Sequence, residues 1–517
     1  MTSEAIPAAN LLLVNAQVIT LDPGLPRASL VTTQGEEIVF VGDASQRSSL
    51  TGPRTRVIDC QGGTLLPGFH DAHCHLLSLA AGHAGVDCSP PEVNSIASLQ
   101  RAIAQRAQRT PPGQWIRAFG YHEFELAERR HPSRHDLDEA APDHPVRLTH
   151  RSGHAHLLNS LGLRAVGITH DTPDPVSGVI ERDERGEPTG MLLEMEEFLN
   201  GAVPPLPPQE LRSALERVNQ ELVSCGITSV QDASAGNDLA RWALFQKATQ
   251  ERLLLPHLTL MSGMQHLEEF HRDGLAFGAI QQGVRLGHAK IMLTLATGAL
   301  FPPTDELARQ MKQAAAWGFP VAIHAVEAEA VLAAAQALGT LRHSASGLRW
   351  RQRVEHASEC PPVALSALRR AGVCVVTQPA FLDVHGDRYL QEVPPEARPW
   401  LYPIGSLINA LSCVAASSDA PVGPLAPLRG MHAAVTRRTR SGQCLLPQEA
   451  IPIDEALALY TRNPAYVAGE EEHKGVISPG KLADMVLLDR DPTQASPEAL
   501  LETKVRLVVV AGQVMEV

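Results

Sequence analysis

Apolar residues at the start of the chain fall into short runs that never settle into a helical period. Leu11-Leu12-Leu13-Val14 and Glu37-Ile38-Val39-Phe40-Val41 are separated by Gly, Pro and Asp, which is the punctuation of short strands and turns. The far end repeats this character in Asp484-Met485-Val486-Leu487-Leu488 and Val505-Arg506-Leu507-Val508-Val509-Val510, followed by the turn Ala511-Gly512. The two ends, 1–66 and 475–517, are expected to pair into one small β domain. Between them apolar runs alternate with amphipathic stretches, the signature of βα units and a parallel sheet. Strands are expected near Thr64–Pro67, Val146–Thr149, Thr228–Gln231, His257–Met261, Leu286–Met292, Pro320–Ile323, Gln352–Glu355, Val373–Thr377 and Val414–Ser417. Helices are expected at Pro208–Ser224, Asp305–Trp317, Glu327–Leu338 and Ile453–Thr461. The count approaches a (β/α)8 barrel over 67–474. The stretch 95–204 is too long for one barrel loop and reads as a lid-like insertion over the barrel's C-terminal face.

Composition narrows the class without changing the fold. In 517 residues, 44% are hydrophobic and 20% charged, ordinary globular usage with no low-complexity tract. The net charge of -13 disfavours nucleic acid as a partner. The one basic run, Arg437-Arg438-Thr439-Arg440, reads as a solvated helix end. The N-terminus lacks a leader pattern and no stretch is long and apolar enough to span a bilayer, so a cytoplasmic location is expected. Eight cysteines without a CxxC pair suit free thiols in a reducing compartment.

The chemistry is carried by strand ends. His73 and His75, in Pro67-Gly68-Phe69-His70-Asp71-Ala72-His73-Cys74-His75, lie two apart on an extended segment and point the same way, so both can reach one cation. Val321-Ala322-Ile323-His324 and Arg353-Val354-Glu355-His356 each end an apolar strand in a histidine, and Val414-Ala415-Ala416-Ser417-Ser418-Asp419 ends one in an aspartate. In a barrel such residues meet at the C-terminal face. Each alone reads as a structural residue; together they specify a metal centre.

With these residues in view the chain resembles the amidohydrolases, and within them the branch of N-substituted formamide deformylases and YtcJ-like proteins, from about Asn15 to the C-terminus. The likeness rests on the segment 67–75, Arg-Ser-Gly-His-Ala-His-Leu-Leu-Asn-Ser at 151–160, Glu-Pro-Thr-Gly-Met at 187–191, Ile-His-Ala at 323–325, Val-Glu-His-Ala at 354–357, Ser-Ser-Asp-Ala-Pro-Val at 417–422 and Pro-Gly-Lys-Leu-Ala-Asp-Met-Val at 479–486. It implies a distorted (β/α)8 TIM barrel flanked by a β-sandwich from both termini. It implies that His73 and His75 hold one divalent metal, with zinc expected and manganese or iron as options, that His324 and His356 hold a second ion or assist the first, and that Asp419 binds metal and moves the proton. Metal-activated water would then cleave a carbon–nitrogen bond of a small molecule. Lys290 stands where the superfamily often places a carboxylated lysine bridging two metals; Glu194 is a rival bridge that otherwise reads as a helix surface residue. His154 lies in the segment that closes the substrate pocket and is assigned a substrate contact, against a capping or core role. Trp115, Tyr121 and His122 are candidates for the same pocket.

Two loops depart from the branch. Thr294-Leu295-Ala296 stands where Asp-Gly-Ser is common, and Glu327-Ala328-Glu329 where Gly-Asp-Arg is common. Transfer of the branch's substrates does not follow. Heterocycle deamination, ester or lactone hydrolysis and a non-catalytic scaffold are the competing readings, the last opposed by the retained ligands. A small-molecule substrate is the expected partner, and a homodimer stays open.

Overall fold

Eight short apolar runs pair side by side, all parallel. In a computed structural model describing residues 9–175, 178–295, 298–344 and 351–517, they are β1 (Phe69–Cys74), β2 (Ile227–Asp232), β3 (His257–Gly263), β4 (Val284–Met292), β5 (Val321–Ala325), β6 (Arg353–His356), β7 (Cys374–Thr377) and β8 (Val414–Ala416), neighbours in that order. Most are buried on both faces, which is why they read as continuous apolar runs rather than alternating ones. The first and last strands are joined just beyond β8: Asp419 N–H donates to the His73 carbonyl at 2.8 Å and His75 N–H to the Ala420 carbonyl at 2.9 Å. This is a distorted TIM barrel whose seam is closed by the main chain of the segments 73–75 and 419–420.

Helices connect the strands, among them Pro208–Ser224, Leu239–Gln250, Thr304–Ala316, Ala328–Ser344 and Pro362–Ala371. The last shows how sequence sets the bounds: Pro362 opens it with its preset φ, and Gly372, at φ 65, ends it in the left-handed conformation that costs other residues a Cβ clash.

The chain divides into two compact units. The first runs through His75 and resumes over Asn219–Thr294 and Pro302–Val517; the second is Leu76–Val218 with Leu295–Phe301. Besides the barrel, the first unit carries two sheets. One orders Glu37–Gly42, Leu30–Gln34, Leu11–Val14 and Arg56–Asp59; the other orders Gln513–Glu516, Val505–Val510, Met485–Leu488, Thr64–Pro67, Gln17–Ile19 and Arg27–Ala28. Leu13, Val18, Val31, Leu65, Met485 and Val509 share a core between them. Thr64–Pro67, counted above among candidate strands of the βα series, belongs here: Leu65 pairs with Leu487. Gly68 makes the exit possible, because a Cβ there would stand 2.3 Å from Thr228 Cγ2 on β2.

The second unit has its own six-stranded sheet in the order Val179–Arg182, Pro188–Leu193, Ala155–Leu158, Val146–His150, Ile116–Tyr121 and Val86–Asp87. Val146–His150 is thus a strand of this sheet, set parallel to Ile116–Tyr121. Leu99, Ile103, Ile116, Leu137, Leu148 and Leu157 form its core. In the basic run, Arg437 corrects the solvated reading. It caps the helix Pro427–Thr436 at φ 55, fully buried, and its guanidinium donates to the carbonyls of Leu445, Tyr402 and Leu401, while Arg438 and Arg440 are exposed. Ala296 lies outside the described residues.

Candidate metal centre

Two histidine nitrogens converge on one carboxylate oxygen at the carboxyl ends of the barrel strands. His75 Nε2 stands 3.1 Å and His73 Nε2 3.5 Å from Asp419 Oδ1. His73 comes from β1, His75 from the turn after it and Asp419 from the turn after β8, where its φ of 55 is a conformation that Asp tolerates better than most residues. His356 ends β6 at φ 70, so the ring turns back toward the site; its centroid lies 5.0 Å from that of His73 and 4.5 Å from that of His324 on β5. Its Nδ1 is 3.9 Å from Asp419 Oδ2. Lys290, on β4, is buried with no hydrogen-bond partner at Nζ among the described residues.

The far nitrogens are fixed by a further layer. Glu355 Oε2 meets His73 Nδ1 at 2.5 Å, Ser234 Oγ meets His75 Nδ1 at 2.9 Å, and Gln378 Oε1 meets His356 Nδ1 at 2.9 Å. Glu355 is itself clamped by Arg353, whose guanidinium also reaches Gln231 Oε1 at 2.7 Å and the Ala72 carbonyl at 2.8 Å. Because Glu355 is an acceptor, His73 must donate from Nδ1, which turns the lone pair of Nε2 toward Asp419. The 355–353 pair was missed in the sequence. A signal was there, since Arg353 and Glu355 lie two apart on an apolar strand and so share a face, where buried charges need each other.

The electrostatics favour neutral His73 and His356 rings beside an anion. Burial, with the Lys290 charge adding to it, pushes His73 down to about 3. Burial also lowers His356. For His75 burial acts the same way but the hydrogen bond to Asp419 outweighs it and the value rises. Burial would raise Asp419, yet the His75 hydrogen bond and the neighbouring imidazoles hold it below the usual carboxylate range. Glu355 is likewise held well below, against burial, by Arg353. Burial brings Lys290 down to about 8. Two imidazole nitrogens and one carboxylate oxygen, oriented from behind, form a donor set that fits a divalent cation with positions left for water and substrate.

The remaining candidates lie in the second unit. His154 Nδ1 meets Glu194 Oε2 at 3.0 Å. The side chain of His154 is 44% exposed, which removes the core reading. Glu194 sits at φ 53 in the turn between the strand Pro188–Leu193 and the helix Glu196–Ala202 rather than on a helix, because its N–H is drawn to the His154 carbonyl at 2.9 Å. Trp115 packs beside Leu158 and Leu192, and Tyr121 is fully buried.

The amidohydrolase family profile matches residues 56–515. The N-substituted formamide deformylase of Arthrobacter pascens is 30% identical over 97% of this chain and 97% of its own length, and the putative amidohydrolase YtcJ of Bacillus subtilis is 27% identical over 90% and 91%. Among solved structures, an uncharacterized metal-dependent hydrolase of Pyrococcus horikoshii superposes with a TM-score of 0.76 at 25% identity, covering 94% of this chain and 99% of that one. With the barrel, the strand-end ligands and this match over most of its length, the chain belongs to the amidohydrolase family.

Proposed function

We propose that this protein hydrolyses an amide-type carbon–nitrogen bond of a small molecule, using water activated by one or two divalent cations, zinc first, held by His73, His75, Lys290, His324, His356 and Asp419. The carrying observation is the convergence of His73 and His75 on Asp419 Oδ1 at the barrel's carboxyl end. Family membership supports hydrolysis of carbon–nitrogen bonds other than peptide bonds. A cation bound there would lower the pKa of a coordinated water from 15.7 toward about 7 and polarise the substrate carbonyl.

The chain's own residues do the rest. Asp419, kept anionic, accepts the proton of the attacking water and delivers it to the leaving nitrogen. His73 stays neutral, and both rings are fixed, His73 by Glu355 and His75 by Ser234. Lys290 has its amine in an apolar strand, with a pKa of about 8, so a useful fraction is uncharged near that pH. Its nitrogen adds to the carbon of carbon dioxide and sheds a proton, giving an anionic carbamate able to bridge two ions. Glu194 is the less favoured bridge, as its carboxylate is taken by His154. His154 is assigned a substrate contact.

The formamide deformylase likeness points to formyl or acyl amines as first substrates to try, while Thr294 and Glu327 depart from that branch. A cytoplasmic location is supported by eight free cysteines, and among the described residues no helix is long and apolar enough to cross a membrane. The test is metal analysis of the purified protein joined to a screen of N-formyl and N-acyl amines, with ammonia release from purines and pyrimidines in parallel. Metal-dependent amide turnover is expected. Protein that stays metal-free after zinc or manganese supplementation would refute the reading.

A further inference from the structure

A second group of metal-ligating side chains lies wholly inside the second unit. The parallel strands Ile116–Tyr121 and Val146–His150 end side by side, with Tyr121 opposite His150 after a register shift at Gly120, whose φ is 88. The residues following the first strand, His122 and Glu123, therefore meet the last residue of the second. One ligand atom from each of His122, Glu123 and His150 lies within 4.8 Å of the others. Glu123 Oε2 is 2.9 Å from His150 Nε2, and the rings of His122 and His150 have centroids 5.6 Å apart. A fourth group approaches from the next loop: His131 Nε2 is 3.9 Å from Glu123 Oε1.

The far nitrogens are again tied back. His150 Nδ1 meets Ser152 Oγ at 2.8 Å, and His131 Nδ1 meets the Tyr121 hydroxyl at 3.0 Å. The Ser152 N–H also lies 3.2 Å from His150 Nδ1, so this nitrogen accepts from the main chain in one tautomer and donates to Oγ in the other. The second tautomer frees Nε2 as a ligand. An ordinary structural ion pair needs only two of these groups, whereas here three imidazoles surround one carboxylate. A cavity of about 320 Å³ opens beside them, with His131, His150, Ser152, His154, Glu181 and Glu194 in its wall.

We infer that His122, Glu123 and His150 form a separate binding site for a divalent cation of the zinc type, with His131 as an additional ligand and the cavity supplying its open position. The donor types match: imidazole nitrogen and carboxylate oxygen at bond lengths of about 2.0 to 2.2 Å are ordinary for zinc, and a tetrahedral arrangement sets ligands about 3.4 Å apart. The position also has a physical logic, since the carboxyl ends of adjacent parallel strands are where α/β sheets leave a crevice for ligands.

The inference stands apart from the barrel centre and is tested apart from it. Full-length protein, stripped with a chelator and dialysed, is titrated with zinc chloride by calorimetry and counted by elemental analysis. In a His73→Ala/His75→Ala background a bound zinc should remain, and adding His122→Ala/His150→Ala should remove one equivalent per chain. Cobalt(II) in the same background should give visible absorption of a four- or five-coordinate ion that the added substitutions abolish. No zinc in that background, or the same zinc count with and without the added substitutions, overturns the site. Should the combined variant fail to fold by circular dichroism, Glu123→Gln in the otherwise unaltered protein decides. It preserves shape and should weaken one zinc equivalent by roughly tenfold or more; unchanged affinity for every equivalent refutes the proposal.

Discussion

The barrel cluster and the cluster of the second unit are built from the same side chains to different depths. In the barrel, His73 is 1% exposed and its partner Glu355 not at all, and behind Glu355 stands the buried Arg353 guanidinium, held in turn by Gln231 and the Ala72 carbonyl. In the second unit Glu123 is 15% exposed and His131 45%, and the anchors are a serine and a tyrosine. A layer that is itself immobile fixes ring direction, as chemistry on a bound water requires. A shallower layer lets the ligands adapt, which suits holding a cation but not aligning a reaction. On this comparison the reaction proposed above belongs to the barrel cluster.

The comparison can be broken or sharpened by experiment. Its largest effect is expected from His73→Ala/His75→Ala, which should reduce turnover to background with loss of barrel metal, while circular dichroism stays helical because the core is large without it; full activity at unchanged barrel metal would end the assignment. Lys290→Ala should lose most activity and the second barrel ion, with partial rescue by bicarbonate and a short carboxylic acid. A single barrel ion beside an unmodified, well-ordered Lys290 in a high-resolution structure of the loaded protein would rule out the bridge. Asp419→Asn should keep the fold and lower kcat by about 10² to 10⁴, the usual range for a general acid-base group; near-wild-type turnover would remove Asp419 from proton transfer. Glu355→Gln probes depth directly. It should weaken barrel metal binding by roughly 10 to 100-fold and, by leaving Arg353 short of its countercharge, cost about 3 to 5 kcal/mol in urea denaturation. If it changes neither, the outer layer is idle and the contrast between the two clusters collapses. The smallest effect belongs to His154→Ala, with a side chain 44% exposed, which should lower kcat/KM while stability moves within about 0.5 kcal/mol; unfolding without loss of specific activity would make it structural.

Most of the barrel was legible because its signals are local. A parallel strand buried on both faces must be a continuous apolar run, and a polar residue ending such a run lies at the functional end, so His324, His356 and Asp419 could be placed from their own segments. Thr64–Pro67 shows where that logic fails, since an apolar run announces a buried strand but not its sheet; the choice is made by Gly68 and by Met485–Leu488 far away in the chain. Arg437 was misread for a similar reason, as its burial depends on carbonyls at Leu401, Tyr402 and Leu445 that only the folded chain brings near. The second cluster was unreadable because it rests on a register. His122 and Glu123 occupy a loop, and their meeting with His150 needs the shift at Gly120 in a pairing that no periodicity reveals.

The seam between β1 and β8 ties this chemistry to the order of folding. The residues that close it are the proposed ligands, and His75 and Asp419 are 344 positions apart. Contacts of such sequence separation carry the loop-closure entropy of nearly everything between them and tend to form late. Partly folded chains with an open ring would therefore lack the complete proposed donor set, and a cation added during refolding is expected to act on the final joining step rather than on the helices or outer strands. By mass action, free metal at a hundred times its dissociation constant would favour the closed ring by about 2.7 kcal/mol. With the proposed metal centre, metal supply would act as a quality control on topology, since only a chain that has brought its first and last barrel strands together would be armed.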